Sequence, residues 1–411
     1  MNRLKMGVIG LGGRGRGITT KILMNMPEVE VVALCDEYED RVEDVAAVAV
    51  EKYGKRPYTT TDHMQLLEHG GMDAVYVATS WETHVEVAVD ALKKGIPVAL
   101  EVGGAYSIER LWDMVRAYEA TKTPLMFMEN CCFGKQELLA TAMVRDGLLG
   151  EIVHCNGAYA HYLADEIAGG VENRHYRLRN YLTRNCENYP THELGPIAKV
   201  LNINRGNQMI SLVSMASKSV GMEDFISRNA EKYPHLVGKK FRQGDMVNTL
   251  IYCADGSTIT LRLDTTLPRS YSREFNLHGT RGIYEMNTHT VCLADQPECF
   301  DTLKFYRENF GNADNYADKY LPAVWKNMTD EQKKIGHGGM DGIEFATFVD
   351  CLQNGKPMPI DVYDAASWMC ITALSEASIA AGGLPQAIPD FTGGMWTRRE
   401  PMDVMDLTPA K

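Results

Sequence analysis

The stretch from Lys5 to Gly17 constrains the fold more than any other part of the chain. Met6 to Ile9 reads as a short apolar strand. Gly10, Gly12 and Gly15 follow at G-x-G-x-x-G spacing, before a helical pattern over Ile18 to Met26. A strand, a tight turn and a helix N-terminus in that order make a cradle for a dinucleotide. Gly10 lets the chain turn, Gly12 and its neighbour Gly13 leave room for a pyrophosphate, and Gly15 lets helix and strand pack closely. The unpaired amides of the first helical turn then hold the anion. A second strand, Val29 to Cys35, ends at Asp36, where an acid binds a ribose diol. A carboxylate there repels a 2′-phosphate, so NAD is expected in preference to NADP. Arg14 and Arg16 temper that preference slightly, because either could reach a phosphate.

Beyond Asp36 the pattern alternates. Helices are expected over Tyr38 to Tyr53, Met64 to Glu68, His84 to Lys94 and Ile108 to Thr121, with strands over Asp73 to Thr79, Pro97 to Glu101 and Leu125 to Met128. Strands separated by such helices require right-handed crossovers and a parallel sheet. Ligands of such sheets lie at the carboxyl ends of the strands, which makes Asp36, Thr79-Ser80-Trp81, Glu101 and Glu129-Asn130 site candidates by position, and His84 is counted with the cofactor-binding residues. After about residue 150 the texture becomes period-2, over Ile152 to His161, Ile210 to Lys218, Asn248 to Cys253 and Thr258 to Asp264. Ala-Asp-Gly-Ser between Cys253 and Thr258 reads as a hairpin turn. Residues 285 to 337 read as loops and short helices, and helices near Met340 to Gln353 and Asp361 to Ala381 close the chain. The expected class is α/β: an N-terminal doubly wound (Rossmann) parallel sheet plus a C-terminal α+β domain with a large, mostly antiparallel sheet. The corresponding division is 1–130 for NAD binding and 131–411 for substrate binding and assembly.

A net charge of −12 argues against a nucleic-acid partner, since no basic excess exists to neutralise phosphates. No apolar run approaches the roughly 20 residues of a membrane span, so no membrane partner is expected. The first strand begins almost at once, which leaves no signal peptide in this chain. Ten scattered cysteines, several inside apolar runs, suit buried thiols in a reducing, cytoplasmic compartment. With no C-x-x-C pair and no H-E-x-x-H, no metal site is expected.

One block stands apart from structural background: Arg184-Asn-Cys-Glu-Asn-Tyr189-Pro-Thr-His192-Glu-Leu-Gly-Pro196. Proline at 190 keeps Tyr189 extended, and the pattern from Leu194 begins a helix, so Tyr189 and His192 lie at a loop-to-helix junction. An isolated Tyr-x-x-His reads as a helix-capping segment with a satisfied histidine. The wider pattern reads otherwise. The chain resembles the glucose-fructose oxidoreductase and inositol dehydrogenase (Gfo/Idh/MocA) superfamily, in which the strand ending at Glu101 typically continues Glu-Lys-Pro with a catalytic lysine. Here it continues Glu101-Val102-Gly103-Gly104. The closer resemblance is to glycoside hydrolase family 109, of NAD-dependent α-N-acetylgalactosaminidase type. It is carried by Glu101-x-Gly-Gly, Glu129-Asn-Cys, Tyr159-x-His161, Tyr189-Pro-Thr-His192-x-Leu-Gly-Pro, Asn202-Ile-Asn-Arg205-Gly, Pro268-Arg-x-Tyr271-Ser-Arg, His337-Gly-Gly-Met-Asp341 and Asp361-Val-Tyr-Asp.

That resemblance implies a glycosidase that uses NAD catalytically, acts on a small-molecule glycoside and assembles as a homo-oligomer. Glycosidases that depend on NAD are a recognised exception to the two-carboxylate scheme. Transient oxidation at sugar carbon 3 acidifies the proton on carbon 2. Its removal expels the aglycone from carbon 1, water adds to the enone, and reduction at carbon 3 closes a redox-neutral cycle. The resemblance places the acid/base work on Glu129, His161, Tyr189, His192 and Tyr271. His192 is assigned to the carbon 3 hydroxyl with Tyr189 beside it, and Tyr271 to the carbon 2 proton. An unperturbed phenol near pKa 10 needs its anion stabilised, by Arg269 or Arg273. Glu129 or His161 assists the leaving group, and binding of the nicotinamide ribose is the alternative role for Glu129. An ordinary sugar dehydrogenase with net cofactor turnover is the alternative function. Four positions depart from the family pattern: His161 is followed by Tyr162-Leu163-Ala164 in place of Asp-Leu-Arg, Glu193 replaces a glycine, and Ser270 replaces a proline. The lost Asp and Arg remove charged sugar partners, which points away from N-acetylgalactosamine.

Overall fold

The computed structural model describes residues 3–296 and 302–410. The chain forms two compact units, Met1–Phe133 with Asn327–Ala366, and Gly134–Lys326 with Ser367–Lys411. The first unit thus takes back a segment that a single cut at residue 130 leaves to the second.

The first unit is built on six parallel strands: β1 (Leu4–Ile9), β2 (Val29–Cys35), β3 (Tyr58–Thr60), β4 (Ala74–Val77), β5 (Val98–Glu101) and β6 (Leu125–Met128). Their order is β3-β2-β1-β4-β5-β6, reversing about β1, and every adjacent pair is parallel. β4, β5 and β6 are buried at every position, as expected of strands covered on both faces. Helices Glu39–Tyr53, His84–Lys93 and Ile108–Thr121 fall where the sequence places them. The first helix does not. It runs over Gly13–Lys21, followed by a 3-10 turn at Leu23–Asn25, so it begins five residues before the expected start and contains Gly15. Three glycines in that turn hide the helix from any propensity argument. β3 is three half-buried residues, too short to carry a period.

The second unit holds an eight-stranded mixed sheet: β7 (Ile152–Ala160), β8 (Met209–Ala216), β9 (Met246–Cys253), β10 (Thr258–Asp264), β11 (Asn276–Gly279), β12 (Gly282–Glu285), β13 (Thr290–Leu293) and β14 (Gln386–Ala387), in the order β13-β12-β11-β7-β10-β9-β8-β14. Only β10 and β7 pair in parallel. The expected β9–β10 hairpin forms, with Gly256 at φ +90° and the Asp255 carboxylate accepting from the Ser257 amide at 2.9 Å. β9 alternates between buried and open positions, because one face is covered and the other is not. The helix Thr191–Val200 packs on the covered face. It can lie close to β7 because Gly157 has no side chain; a Cβ there would stand 2.9 Å from the Glu193 carbonyl oxygen. β13 corrects the expectation of loops and short helices over 285–337, and residues 297–301 of that range lie outside the described residues. Nine cysteines are free thiols, eight of them buried, and Cys299 lies outside the described residues.

Candidate active site

Each unit presents its own half of the predicted machinery. In the first, the glycine turn has the shape its spacing implies. Gly10 sits at φ +98°, and a Cβ there would lie 2.5 Å from the Ala78 backbone; one on Gly15 would lie 1.9 Å from the Gly10 carbonyl oxygen. At Gly13 nothing lies within 4 Å of an added Cβ, and the helix N-terminus at Gly12 has no side-chain cap. The turn is therefore tight underneath and open above, with helix amides exposed for an anion. The Asp36 carboxylate is buried at the end of β2, accepting from Leu11 N at 2.6 Å and Tyr38 N at 3.0 Å. These hydrogen bonds hold the acid at the lip of the turn, where a ribose diol would meet it. Arg16 is tied to Asp44 at 2.5 Å. On this geometry the residues fit NAD.

Other cofactor candidates are engaged with each other. Arg14 donates through Nε to Glu101 at 2.8 Å and through Nη1 to Asp341 at 2.7 Å. Burial opposes its charge, but Glu101 and Asp341 hold the guanidinium well above its ordinary pKa. Glu101 also accepts from the Tyr76 hydroxyl at 2.7 Å, and Asn130 Nδ2 donates to Asp341 at 2.6 Å. Asp341 keeps its charge: burial works against it, but the hydrogen bond from His337 and the charge of Arg14 hold the carboxyl below the usual range. Arg14, Glu101 and Asn130 thus form one network that ties the glycine helix to the ends of β5 and β6.

Trp81 and His84 pack against Gly103, where a Cβ would stand 2.4 Å from the indole and 2.7 Å from the imidazole. This explains the glycine of Glu101-x-Gly-Gly. Burial pushes the His84 imidazole down to about 4, so it is neutral. Thr79, at the end of β4, has a hydroxyl with no hydrogen-bond partner among the described residues. Val102, the residue that follows β5, is buried. Glu129 is fully buried after β6, accepting from Cys131 N at 3.1 Å.

In the second unit the proton-transfer candidates form one aromatic cluster. Tyr189 and His192 meet edge to face with centroids 4.8 Å apart, and Tyr159 lies 4.7 Å from Tyr189 and 5.6 Å from His192. The Tyr159 hydroxyl is 3.3 Å from His161 Nδ1, and the His161 ring is 5.0 Å from Tyr271. The helix N-terminus at Thr191 and the end of β7 aim these groups at one another. Of the two arginines expected near Tyr271, Arg273 is the one present: its Nη1 donates to the Tyr271 hydroxyl at 3.1 Å. Arg269 instead pairs with Asp264 at 2.6 Å and Glu274 at 3.0 Å. Arg273 is held by Glu137 through Nε at 2.5 Å. Arg177 stands 5.0 Å above the Tyr189 ring.

Arg177, Glu137 and Tyr76 were not expected from sequence, because nothing in their local context marks them, and Glu187 lay inside the Arg184–Pro196 block without a role. Asp341 and Tyr159 lay inside quoted motifs, and that was the available signal. Ala164 is buried and opens the helix Ala164–Ala168, so its position in this chain offers no charge to a ligand.

Residues 133–398 match the family model for the glycosyl hydrolase 109 C-terminal domain, and residues 4–128 match that of the oxidoreductase family with an NAD-binding Rossmann fold. An α-N-acetylgalactosaminidase of Tannerella forsythia is 35% identical, with 97% of this chain and 88% of that protein covered. One of Bacteroides fragilis is 34% identical, covering 96% and 93%. Among solved structures, an oxidoreductase from Agrobacterium radiobacter in complex with NAD+, L-tartaric acid and magnesium superposes with a TM-score of 0.65 at 16% identity, covering 94% and 98%. A levoglucosan dehydrogenase in complex with NADH and levoglucosan gives 0.67 at 18%, covering 94% and 100%; both likenesses speak to the fold. The agreement of the family models with near-complete alignment to those relatives decides the assignment, and the chain belongs to glycosyl hydrolase family 109, a glycosidase with an NAD-binding Rossmann unit.

Proposed function

We propose that this glycosidase cleaves its substrate by elimination and addition, with the sugar transiently oxidised at carbon 3 and restored before release. The observation that carries the reading is the cluster of Tyr271, His161, Tyr159, Tyr189 and His192, with the Arg273 guanidinium on the Tyr271 hydroxyl. Bound NAD supplies reversible oxidation at that carbon. His192 takes the proton of the carbon 3 hydroxyl and Tyr189 orients it. Tyr271 takes the carbon 2 proton, which requires a phenolate, and Arg273 stabilises that anion. His161 or Glu129 delivers a proton to the departing oxygen. Nothing in this sequence needs an oxocarbenium ion, so α- and β-glycosides are both candidate substrates. The relatives' names make N-acetylgalactosaminides the first sugars to try, and the absence of charge at Tyr162 and Ala164 widens the panel to neutral hexosides.

The test is a panel of aryl α- and β-glycosides, with turnover of any hit repeated in heavy water. Deuterium at carbon 2 of the released sugar is expected. Product free of deuterium at that carbon excludes the mechanism, and steady NADH accumulation at 340 nm favours an ordinary dehydrogenase.

A further inference from the structure

We propose that Glu187 and Glu193 form a carboxyl pair sharing one proton, and that this pair positions Tyr189 and His192 for proton transfer. The two glutamates flank the Tyr189-Pro-Thr-His192 segment and are 0% and 1% exposed. Neither forms a salt bridge, and both Glu187 carboxyl oxygens and Glu193 Oε1 have no other side-chain or backbone partner of ordinary hydrogen-bond geometry among the described residues. What faces them is each other and the backbone. Glu193 Oε2 accepts from Arg262 N on β10 at 3.1 Å, and the Glu187 amide donates to Ser375 Oγ at 2.8 Å. The titratable groups around them are Tyr181 and Cys186, whose pKa values burial raises, and Arg262, whose guanidinium is paired with Glu274.

Two buried carboxyls in contact, neither of them ion-paired, do not both ionise near neutrality. Burial first, then the neighbouring Glu193, pushes Glu187 up; burial pushes Glu193 up to about 8. With one proton held between them, the pair is a closed hydrogen-bonded clamp from the loop before Tyr189, through the first turn of the helix after His192, to β10. The residue at 193 is also where the family pattern has glycine, so the clamp belongs to this chain's own version of the junction. The positioning role rests on the reading of His192 and Tyr189 as proton-transfer groups; the shared proton does not.

The two halves are tested separately. Thermal unfolding of wild type, Glu193→Gln and Glu187→Gln is followed from pH 5 to pH 9. A carboxyl whose folded pKa lies above its unfolded value stabilises fully below the unfolded value, and that stability is lost as pH rises through the folded one. Either glutamine variant therefore gains in midpoint relative to wild type as pH rises. A difference that stays constant with pH overturns the shared proton. Kinetics on para-nitrophenyl N-acetyl-α-galactosaminide, or on whichever aryl glycoside of the panel is turned over, test positioning. Glu193→Gln moves the alkaline limb of kcat to higher pH, and Glu193→Ala lowers kcat about tenfold with KM within about twofold. An unmoved limb with unchanged kcat overturns positioning. Full activity in His192→Ala also overturns it, by removing the function it serves, and leaves the proton linkage standing on the unfolding data.

Discussion

Tyr271 is 48% exposed, so water as well as its Arg273 partner can stabilise the phenolate that its assigned role requires. Tyr271→Phe is expected to lower kcat/KM by roughly 10²–10⁴-fold, the range of a lost general base. Arg273→Met keeps the phenol but removes the charge that favours its anion, so the rising limb of kcat/KM should move to higher pH. A limb that stays put would exclude Arg273 as the stabilising group. The sequence could name both Arg269 and Arg273 but could not choose, because they lie two residues to either side of Tyr271. The choice is made by Asp264 and Glu274, which take Arg269, and by Glu137, which holds Arg273. Glu137 comes from a helix more than a hundred residues upstream, and no local pattern connects them.

At the scale of elements, the glycine turn makes the sharpest prediction. Gly15→Ala places a methyl group 1.9 Å from the Gly10 carbonyl oxygen, so the helix must move. A loss of about 1–3 kcal/mol by overpacking is expected, together with weakened NAD binding by titration calorimetry. Gly13→Ala, with nothing within 4 Å of its new Cβ, should preserve the fold. The turn itself was legible because each glycine answers a steric demand, whereas the helix beginning at Gly13 was not, because those glycines erase its periodicity. The network behind the turn makes a second prediction. Asp341→Asn weakens the hold on Arg14 and should cost about 1–3 kcal/mol at neutral pH. The Asp341 carboxyl titrates below its unfolded value, so its contribution is present above that value and lost as pH falls through the folded one. The gap between wild type and Asp341→Asn in thermal midpoint should therefore hold above about pH 5 and narrow progressively as pH falls below the unfolded carboxyl value of about 4.

For the molecule as a whole, the open face of the eight-stranded sheet carries Met215, Leu250 and Tyr252, each more than half exposed. A homo-oligomer that covers this face is expected, and Leu250→Lys with Tyr252→Lys should lower the mass found by light scattering. A monomeric wild type would exclude it. Alternation along β9 made this face readable, but not what covers it.

The sequence alone determined the alternation of strand and helix in the first 130 residues apart from the three-residue β3 and the start of the first helix, because buried parallel strands and amphipathic crossovers each leave a period. It determined the glycine cradle with Asp36, and it carried the family motifs that bring Tyr189 and His192 to notice. Tertiary structure alone decided which arginine donates to the Tyr271 hydroxyl, that Arg14 pairs with Glu101 and Asp341, and that Glu187 and Glu193 are buried on either side of the Tyr189–His192 segment. These are contacts between residues far apart in the chain, set by how sheets and helices stack. A sequence can list their chemistry, but only packing determines which groups lose their water and therefore which must share a charge or a proton.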